Sequence, residues 1–344
     1  MWKYVLKRIG LALLTTFIIL SLTFILMKLL PFSKPVGNAE TQFAFYMKQV
    51  ADGFVVDSRR PLKGYGEALF QYTEGTRKHF FYETPVMTQY FSWLKNIVTK
   101  WDWGVSTYIM PNIGAMDIIA QRLPVSMLIN IFSVIFSVPL GIALGVIAAL
   151  RKNKPVDHII STGVMIFISI PSFVLITFFM LIFSYKLGWL PTQWPADTAP
   201  TNLKVLGYVI PVICLSFGSI CGYARFTRAE LCEVMSSEYL LLARTKGLTK
   251  RQAIMRHALR NAMVPIVPSI LAEFISVLGG SMILENLYGI PGIGSLFVTA
   301  MNIKDFNVLF VDMAVFTTVG LLAGVILDIS YGFIDPRIRM GAKK

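Results

Sequence analysis

Six stretches of the chain are continuously apolar, and most charged residues lie between them. They run from Ile9 to Leu30, Leu123 to Leu150, His158 to Ser184, Val205 to Ala224, Met263 to Leu284 and Val308 to Phe333. A helix needs about 20 apolar residues to cross a bilayer. The runs do not alternate with polar positions, so they predict helices rather than barrel strands. The first run is longer than the apolar core of a signal peptide, and no small-residue cleavage site follows it. It therefore predicts an uncleaved span, with Lys28 near its end reaching toward the interface. Pro139, Pro171, Pro211, Pro265 and Pro268 fall inside the runs and predict bends. Gly141 and Gly145 form a G-x-x-x-G that allows another helix to approach closely.

Composition agrees with this pattern. The chain is 55% hydrophobic and 15% charged, where a soluble domain carries about a quarter charged residues. The net charge of +13 does not imply nucleic acid, because the cations flank apolar spans where topology control accounts for them. Lys3, Lys7 and Arg8 precede the first span, and Arg151, Lys152 and Lys154 follow the second. A further basic cluster from Arg225 to Arg260 follows the fourth, and Arg337, Arg339, Lys343 and Lys344 follow the sixth. The opposite short loops hold only Lys186, Lys204 and Lys304. Both termini are thus expected in the cytoplasm. The long segment 32–122 carries cations and acids in near balance and is long enough to escape the rule. Its aromatic density predicts a small helical cap outside the membrane. The expected organisation is an anchor at 1–31, an extracytoplasmic cap at 32–122 and a five-helix core at 123–344, with a cytoplasmic loop at 225–262.

Several chemistries are absent. No G-x-x-x-x-G-K-[ST] occurs, so nucleotide phosphates are not held in a P-loop by this chain. Cys214, Cys221 and Cys232 form no C-x-x-C pair, and no metal site is expected. Gly279-Gly280-Ser281 resembles a serine-protease motif, but His79, His158 and His257 are not placed to activate Ser281. Glu273, Glu285, Asp312 and Asp328 fall in or at the ends of spans. Acids there are costly to insert, so they either line a pathway or hold helices together. Gly289, Pro291, Gly292 and Gly294 belong to the stretch Gly-Ile-Pro-Gly-Ile-Gly, a candidate outer gate or a plain turn.

The densest signal is "EYLLLARTKGLTKRQAIMRHALRNAMVP", Glu238 to Pro265. Ser237 is an N-cap candidate, and Glu238 then occupies the first turn, where the helix dipole favours an acid. Tyr239, Leu242 and Ala243 follow at helical spacing. Gly247 can end the helix in the left-handed conformation. Thr249 and Gln252 have the spacing of a capping box. A second helix then places Ala253, Ile254, His257 and Ala258 on one face. The result is helix, corner, helix. It reads either as an amphipathic loop on anionic lipid or as a rigid lever gripped by a partner.

This hairpin resembles the EAA loop of ATP-binding-cassette importer permeases, in its peptide-permease version. Glu238, Ala243 and Gly247 match the loop's acid, alanine and glycine, and Arg256 to Ala262 match its R-H-A-L-R-N-A run. Leu241 and Leu242 depart from the first two letters of the motif, and Arg260 stands where the broader consensus has proline. "WLKNIVTKWDWG", "RLPVSMLINIFSVIFSVPLGIALGVIAALRK", "SIPSFVLITFFMLIFSYKLGWLP", "LENLYGIPGIGSLFVTAMNIKDF" and "DPRIR" extend the resemblance in order along the chain. Roughly 41–87 matches least.

The resemblance implies an all-α polytopic membrane protein with six transmembrane helices, a type I importer permease fold and a helical cap. It implies one half of a translocation path in a bacterial cytoplasmic membrane. A second, homologous permease would supply the other half. Two P-loop ATPase subunits would bind ATP and magnesium below, and an external binding protein would deliver cargo. This chain would hold no cofactor and would not be an enzyme. Glu238, Tyr239, Leu242, Ala243, Gly247, Leu248 and Arg256 would form the ATPase-coupling loop, with Arg251 and Arg256 also placed near lipid headgroups. Peptide cargo suits the likeness best, while nickel complexes and glutathione are carried by members with the same loop. An ion-coupled secondary carrier is the alternative from a different class.

Overall fold

The computed structural model describes residues 2–29, 35–276 and 281–334. In chain order the elements begin with α1 (Trp2–Lys28), α2 (Ala39–Ala51), β1 (Val55–Ser58), β2 (Phe70–Glu74), β3 (Arg77–Glu83) and α3 (Val86–Lys100). Next come α4 (Ala115–Leu150), α5 (Pro155–Ile168) and α6 (Ser172–Phe179), the last extended by a wide π turn, Met180–Lys186. Then follow α7 (Thr201–Gly207), α8 (Val209–Met235), α9 (Glu238–Thr245) and α10 (Lys250–Ala253). A second π turn, Ile254–Ala258, leads into α11 (Leu259–Ser276). The series closes with α12 (Met282–Tyr288), α13 (Ile293–Ile303) and α14 (Phe306–Ile334).

Four helical segments among the described residues are long and apolar enough to cross a membrane: Val5–Lys28, Ala115–Leu150, Thr201–Met235 and Phe306–Ser330. The third sequence-predicted span, His158 to Ser184, is not one rod. It is broken into α5 and α6, which bend by 99°. Pro171 explains the break, because it cannot donate to a helical ladder and disfavours helical backbone at Ile170. If the bent pair counts once, five spans result. The fifth predicted span, Met263 to Leu284, is represented by α11 and α12, and residues 277–280, including Gly279 and Gly280, lie outside the described residues. The basic terminus at 335–344 also lies outside them.

The chain forms two compact units. The first comprises 1–124 and 295–321; the second comprises 125–294 and 322–344. In the first, the expectation of an all-helical cap is corrected by a three-stranded antiparallel sheet of order β1-β3-β2. Phe70 and Tyr72 alternate with Gln71 and Thr73, which suits a half-buried strand. Gly75 and Thr76 close the hairpin, with Glu74 opposite Arg77. Aromatic side chains of α2 cover the sheet: Tyr46 stacks on Phe70 and Phe81, and Phe43 stacks on Tyr72 at 4.4 Å. Aromatic density therefore marks packing against a sheet rather than a bundle of helices. Lys48 bonds both Asp52 and Asp102. Burial pushes the Asp52 carboxyl up, whereas at Asp102 burial is outweighed by the Lys48 ammonium, the Gly104 amide and the Lys100 charge together, which hold the carboxyl below its usual range. The core of this unit gathers Leu20 and Phe24 of α1, Ile118 and Ile119 of α4, and Val308 and Val311 of α14.

In the second unit, the G-x-x-x-G of α4 lies against α8. A Cβ on Gly141 would stand 2.8 Å from the Ile220 carbonyl, and one on Gly145 would stand 2.6 Å from the Ala224 carbonyl. Small residues permit that approach, as the sequence implies. Helix α8 runs on to Met235, so Arg225 and Arg228 belong to a continuous rod rather than to a loop.

Candidate functional site

The basic hairpin is anchored by one leucine. Leu240 of α9 is buried with Leu231 of α8, Ala149 of α4, and Ala253, Ile254, Ala258 and Ala262 of the second arm. Leu248, half-buried, packs on the same cluster. Ser237 stands at the N-cap with extended backbone, but its hydroxyl turns back to donate to the Val234 carbonyl at 2.5 Å. The capping role is thus positional. Glu238 begins α9 and is exposed. Tyr239, Leu241 and Leu242 are exposed apolar side chains on this short helix, Leu241 at 62%. Ala243 is half-buried, and Arg256 is exposed.

Gly247 makes the corner. Its φ is +95°, a conformation that L side chains rarely adopt, and nothing lies within 4 Å of where its Cβ would be. The constraint there is backbone conformation alone. Thr249 and Gln252 form the expected capping box: the Gln252 amide donates to Thr249 Oγ1 at 3.3 Å, and the Thr249 amide donates to Gln252 Oε1 at 3.1 Å. The second arm then differs from an ideal helix. The π turn Ile254–Ala258 widens the winding, so Ala253, Ile254 and Ala258 are buried while His257 is exposed. The expected single face with His257 is corrected for that reason, since i to i+5 bonding aligns Ala253 with Ala258. From Lys250 the backbone continues through this turn into α11 without a loop.

The four acids take different environments. Glu285 is 2% exposed and accepts from Ser126 Oγ at 2.7 Å and from the Ser281 amide at 3.3 Å. The same Ser126 oxygen accepts from the Ile293 amide at 2.9 Å. Gly289 ends α12 with φ +70°, and Gly292 packs directly over the carboxylate. Gly294 is equally confined: its Cβ would stand 2.7 Å from the Met282 nitrogen. Pro291 is half-buried between these glycines. Glu273 accepts from the Tyr223 hydroxyl and lines two cavities of ≈ 510 and ≈ 440 Å³, with Ser219 common to both. Asp312 is fully buried on α14, and Asp328 is half-buried further along it.

Comparison with known proteins bears directly on this arrangement. The family described as binding-protein-dependent transport system inner membrane component matches residues 141–340, which include the whole hairpin. The chain belongs to that family. It is 33% identical to the dipeptide transport system permease protein DppB of Lactococcus lactis subsp. cremoris, over 99% of this chain and 100% of that protein. It is 32% identical to the oligopeptide transport system permease protein OppB of Haemophilus influenzae, over 98% of this chain and 100% of that one. Its fold is similar to a chain of the inward-facing MetNI methionine ABC transporter, with a TM-score of 0.52. That match has 17% identity and covers 64% of this chain and 97% of the other. The resemblance read from the residues is therefore upheld: this is a mostly helical, polytopic permease subunit of an ATP-binding-cassette importer.

Two polar centres of the permease escaped sequence reasoning. Asp157, 1% exposed, accepts from Arg228 Nε at 2.5 Å and Nη2 at 2.8 Å, with the Asn153 amide at 2.9 Å. Asp305, fully buried, is cradled by Ser106 Oγ at 2.6 Å and by the amides of Thr107, Tyr108 and Ile109. Each acid lies at a helix boundary, which is the only local signal of its role. The partners that mark each role, Arg228 for Asp157 and the segment from Ser106 to Ile109 for Asp305, are far away in the chain.

Proposed function

We propose that this permease is one of two membrane subunits of an ATP-driven importer for peptides. Its hairpin at 225–262 is the element that couples the membrane path to cytoplasmic ATPases. The observation that carries the reading is the contrast within α9: Leu240 is locked in the core, while Tyr239, Leu241 and Leu242 are exposed beside it. An anchored helix with an apolar outer edge suits a groove on a partner protein. The second arm, continuous from Lys250 through the π turn into α11, supports transmission of movement, because a rod passes on a displacement that a flexible loop absorbs. Glu238 and Arg256 would add polar contacts at the rim.

In this reading the chain spans the membrane six times with both termini in the cytoplasm, and 32–122 forms an external cap. A homologous permease completes the path, two P-loop subunits supply ATP and magnesium, and an external binding protein delivers cargo. Glu273, beside two cavities, is the acid suited to line the path. Glu285 serves to hold the Gly289, Pro291, Gly292 and Gly294 turn at an outer gate. Asp312 and Asp328 serve helix packing. Peptide cargo is supported by the full-length relatives named for dipeptide and oligopeptide transport.

Gly247→Val tests the lever. The substitution strains the corner without a steric clash, so the chain should insert normally while ATP-dependent peptide uptake into proteoliposomes is lost. Uptake at the unmodified rate would refute the coupling role.

A further inference from the structure

Helix α3 reverses the usual pattern of a helix on a water-facing surface. Two of its polar side chains point inward. Gln89 is fully buried and donates to Glu83 Oε1 at 3.0 Å and to the Thr84 carbonyl at 2.7 Å. Asn96, also buried, donates to the Asp52 carbonyl at 2.9 Å. Met87, Phe91 and Val98 point outward instead, Phe91 at 62% and Val98 at 76% exposure. At 3.6 residues per turn these three fall within about 40° of one another, with half-buried Leu94 beside them. Thr88, Lys95 and Thr99 are exposed too and form a polar edge on the side of this strip away from Tyr90. A continuous apolar strip left open by the fold marks contact with lipid or with another protein.

The neighbours of α3 decide between the two. Tyr90 borders the strip and reaches Ser21 of α1. Ser21 Oγ donates to the Phe17 carbonyl at 2.7 Å, which leaves the Tyr90 hydroxyl to donate to Ser21 at 2.9 Å. Ser21 lies about two turns, or about 10 Å, inside the end of the apolar segment Val5–Lys28. Trp93 stacks on Phe24 of α1 at 4.8 Å and meets Phe310 of α14 edge-on at 5.3 Å. Phe310 lies in the second turn of the apolar segment Phe306–Ser330. Side chains of α3 thus pack against residues inside two spans, at a depth where its open strip meets hydrocarbon. Phe17 and Ile18, one turn from Ser21 on α1, are exposed and apolar, so the open surface of α1 borders that of α3 at the Ser21–Tyr90 bond. Lys95 and Lys100 are exposed, and the helix carries no acid. Cations on the polar side and aromatic or aliphatic residues on the other are the makeup of a helix lying in a membrane interface.

We propose that α3 lies in the leaflet at the Lys28 end of α1, with Met87, Phe91, Leu94 and Val98 among acyl chains and Lys95 and Thr99 at the headgroups. The partner of this strip is the lipid bilayer. The inference rests on the reading of α1 and α14 as membrane spans.

The test uses the intact importer with its binding protein in native membranes. A photoreactive p-benzoyl-phenylalanine replaces Phe91, Val98 or Thr99 in turn, and Phe17 of α1 as the reference. After irradiation, mass spectrometry of the chain identifies what each position has captured. Phe91 and Val98 should yield phospholipid adducts at a level like that of Phe17 and severalfold above that of Thr99. Met87 replaces either position if its variant fails to assemble. Capture of a second permease or of the binding protein at Phe91 and Val98 overturns the proposal and makes the strip a protein-docking face. Lipid adducts equal at Thr99 and Val98 overturn the interfacial placement. A reference position that captures lipid while Phe91 and Val98 capture nothing overturns the proposal alone. A Phe17 position that captures no lipid overturns the span reading, and the proposal with it.

Discussion

Gly292 carries no side chain because two oxygens occupy the space that one would need. A Cβ there would lie 2.3 Å from Ser126 Oγ and 2.4 Å from Glu285 Oε2. Neither atom can retreat without breaking the buried Ser126–Glu285 bond. Gly292→Ala should therefore lower stability by about 1–3 kcal/mol, the usual cost of overpacking. Gly163→Ala, in the middle of α5 with open space around it, should be neutral or slightly stabilising. Thermal melts of the two variants in detergent give the comparison, and equal melting temperatures would contradict the packing argument. Asp157 and Arg228 allow a second test at this scale. Arg228→Ala strands a buried carboxylate and should cost about 3–5 kcal/mol, while Asp157→Ala with Arg228→Ala should recover much of that loss. A double variant no more stable than Arg228→Ala would argue against the pairing. The sequence shows these residues to be charged or small. It does not show what each one faces.

At the scale of elements, the hairpin was the most legible part of the chain. Its acid at the helix start, its glycine corner and its capping box are all short-range devices, so a few adjacent residues encode them. What lay beyond reach was the π turn, which depends on how Ala253, Ile254 and Ala258 settle against α8 and α9 and which turns His257 outward. The cap shows the opposite weighting. The alternation across Phe70 to Thr73 and the Gly75 turn are strand signals, but they span only a few residues, and aromatic density suits a helix and a sheet alike. The two faces of α9 allow a direct test. Leu240→Ala should cost about 2–5 kcal/mol, because it empties a packed site. Leu241→Ser should leave the melting temperature unchanged and reduce co-purification of ATPase subunits. If Leu241→Ser destabilised the chain as much as Leu240→Ala, the exposed edge would be part of the fold rather than a docking surface.

At the scale of the whole molecule, the apolar runs and the cations flanking them make a topological prediction. Reporter fusions at Met1 and Lys344 should both be active in the cytoplasm, and one placed near Gly64 should be active outside. A fusion at Gly64 active in the cytoplasm would invert the arrangement. The membrane class and the positions of its apolar runs followed from the sequence alone, because transfer from water to hydrocarbon depends on local composition over a helix length. The helix–corner–helix form of the hairpin followed for a similar reason, since capping and corner geometry are set within a few residues. Only the tertiary structure decided which buried acids meet which partners. Ser126 and Glu285 are separated by 159 positions, Ser106 and Asp305 by 199, and Asp157 and Arg228 by 71. The fold also decided that the third apolar run turns through 99°. Such pairings and angles depend on which surfaces close together in three dimensions, and chain order carries no local record of that.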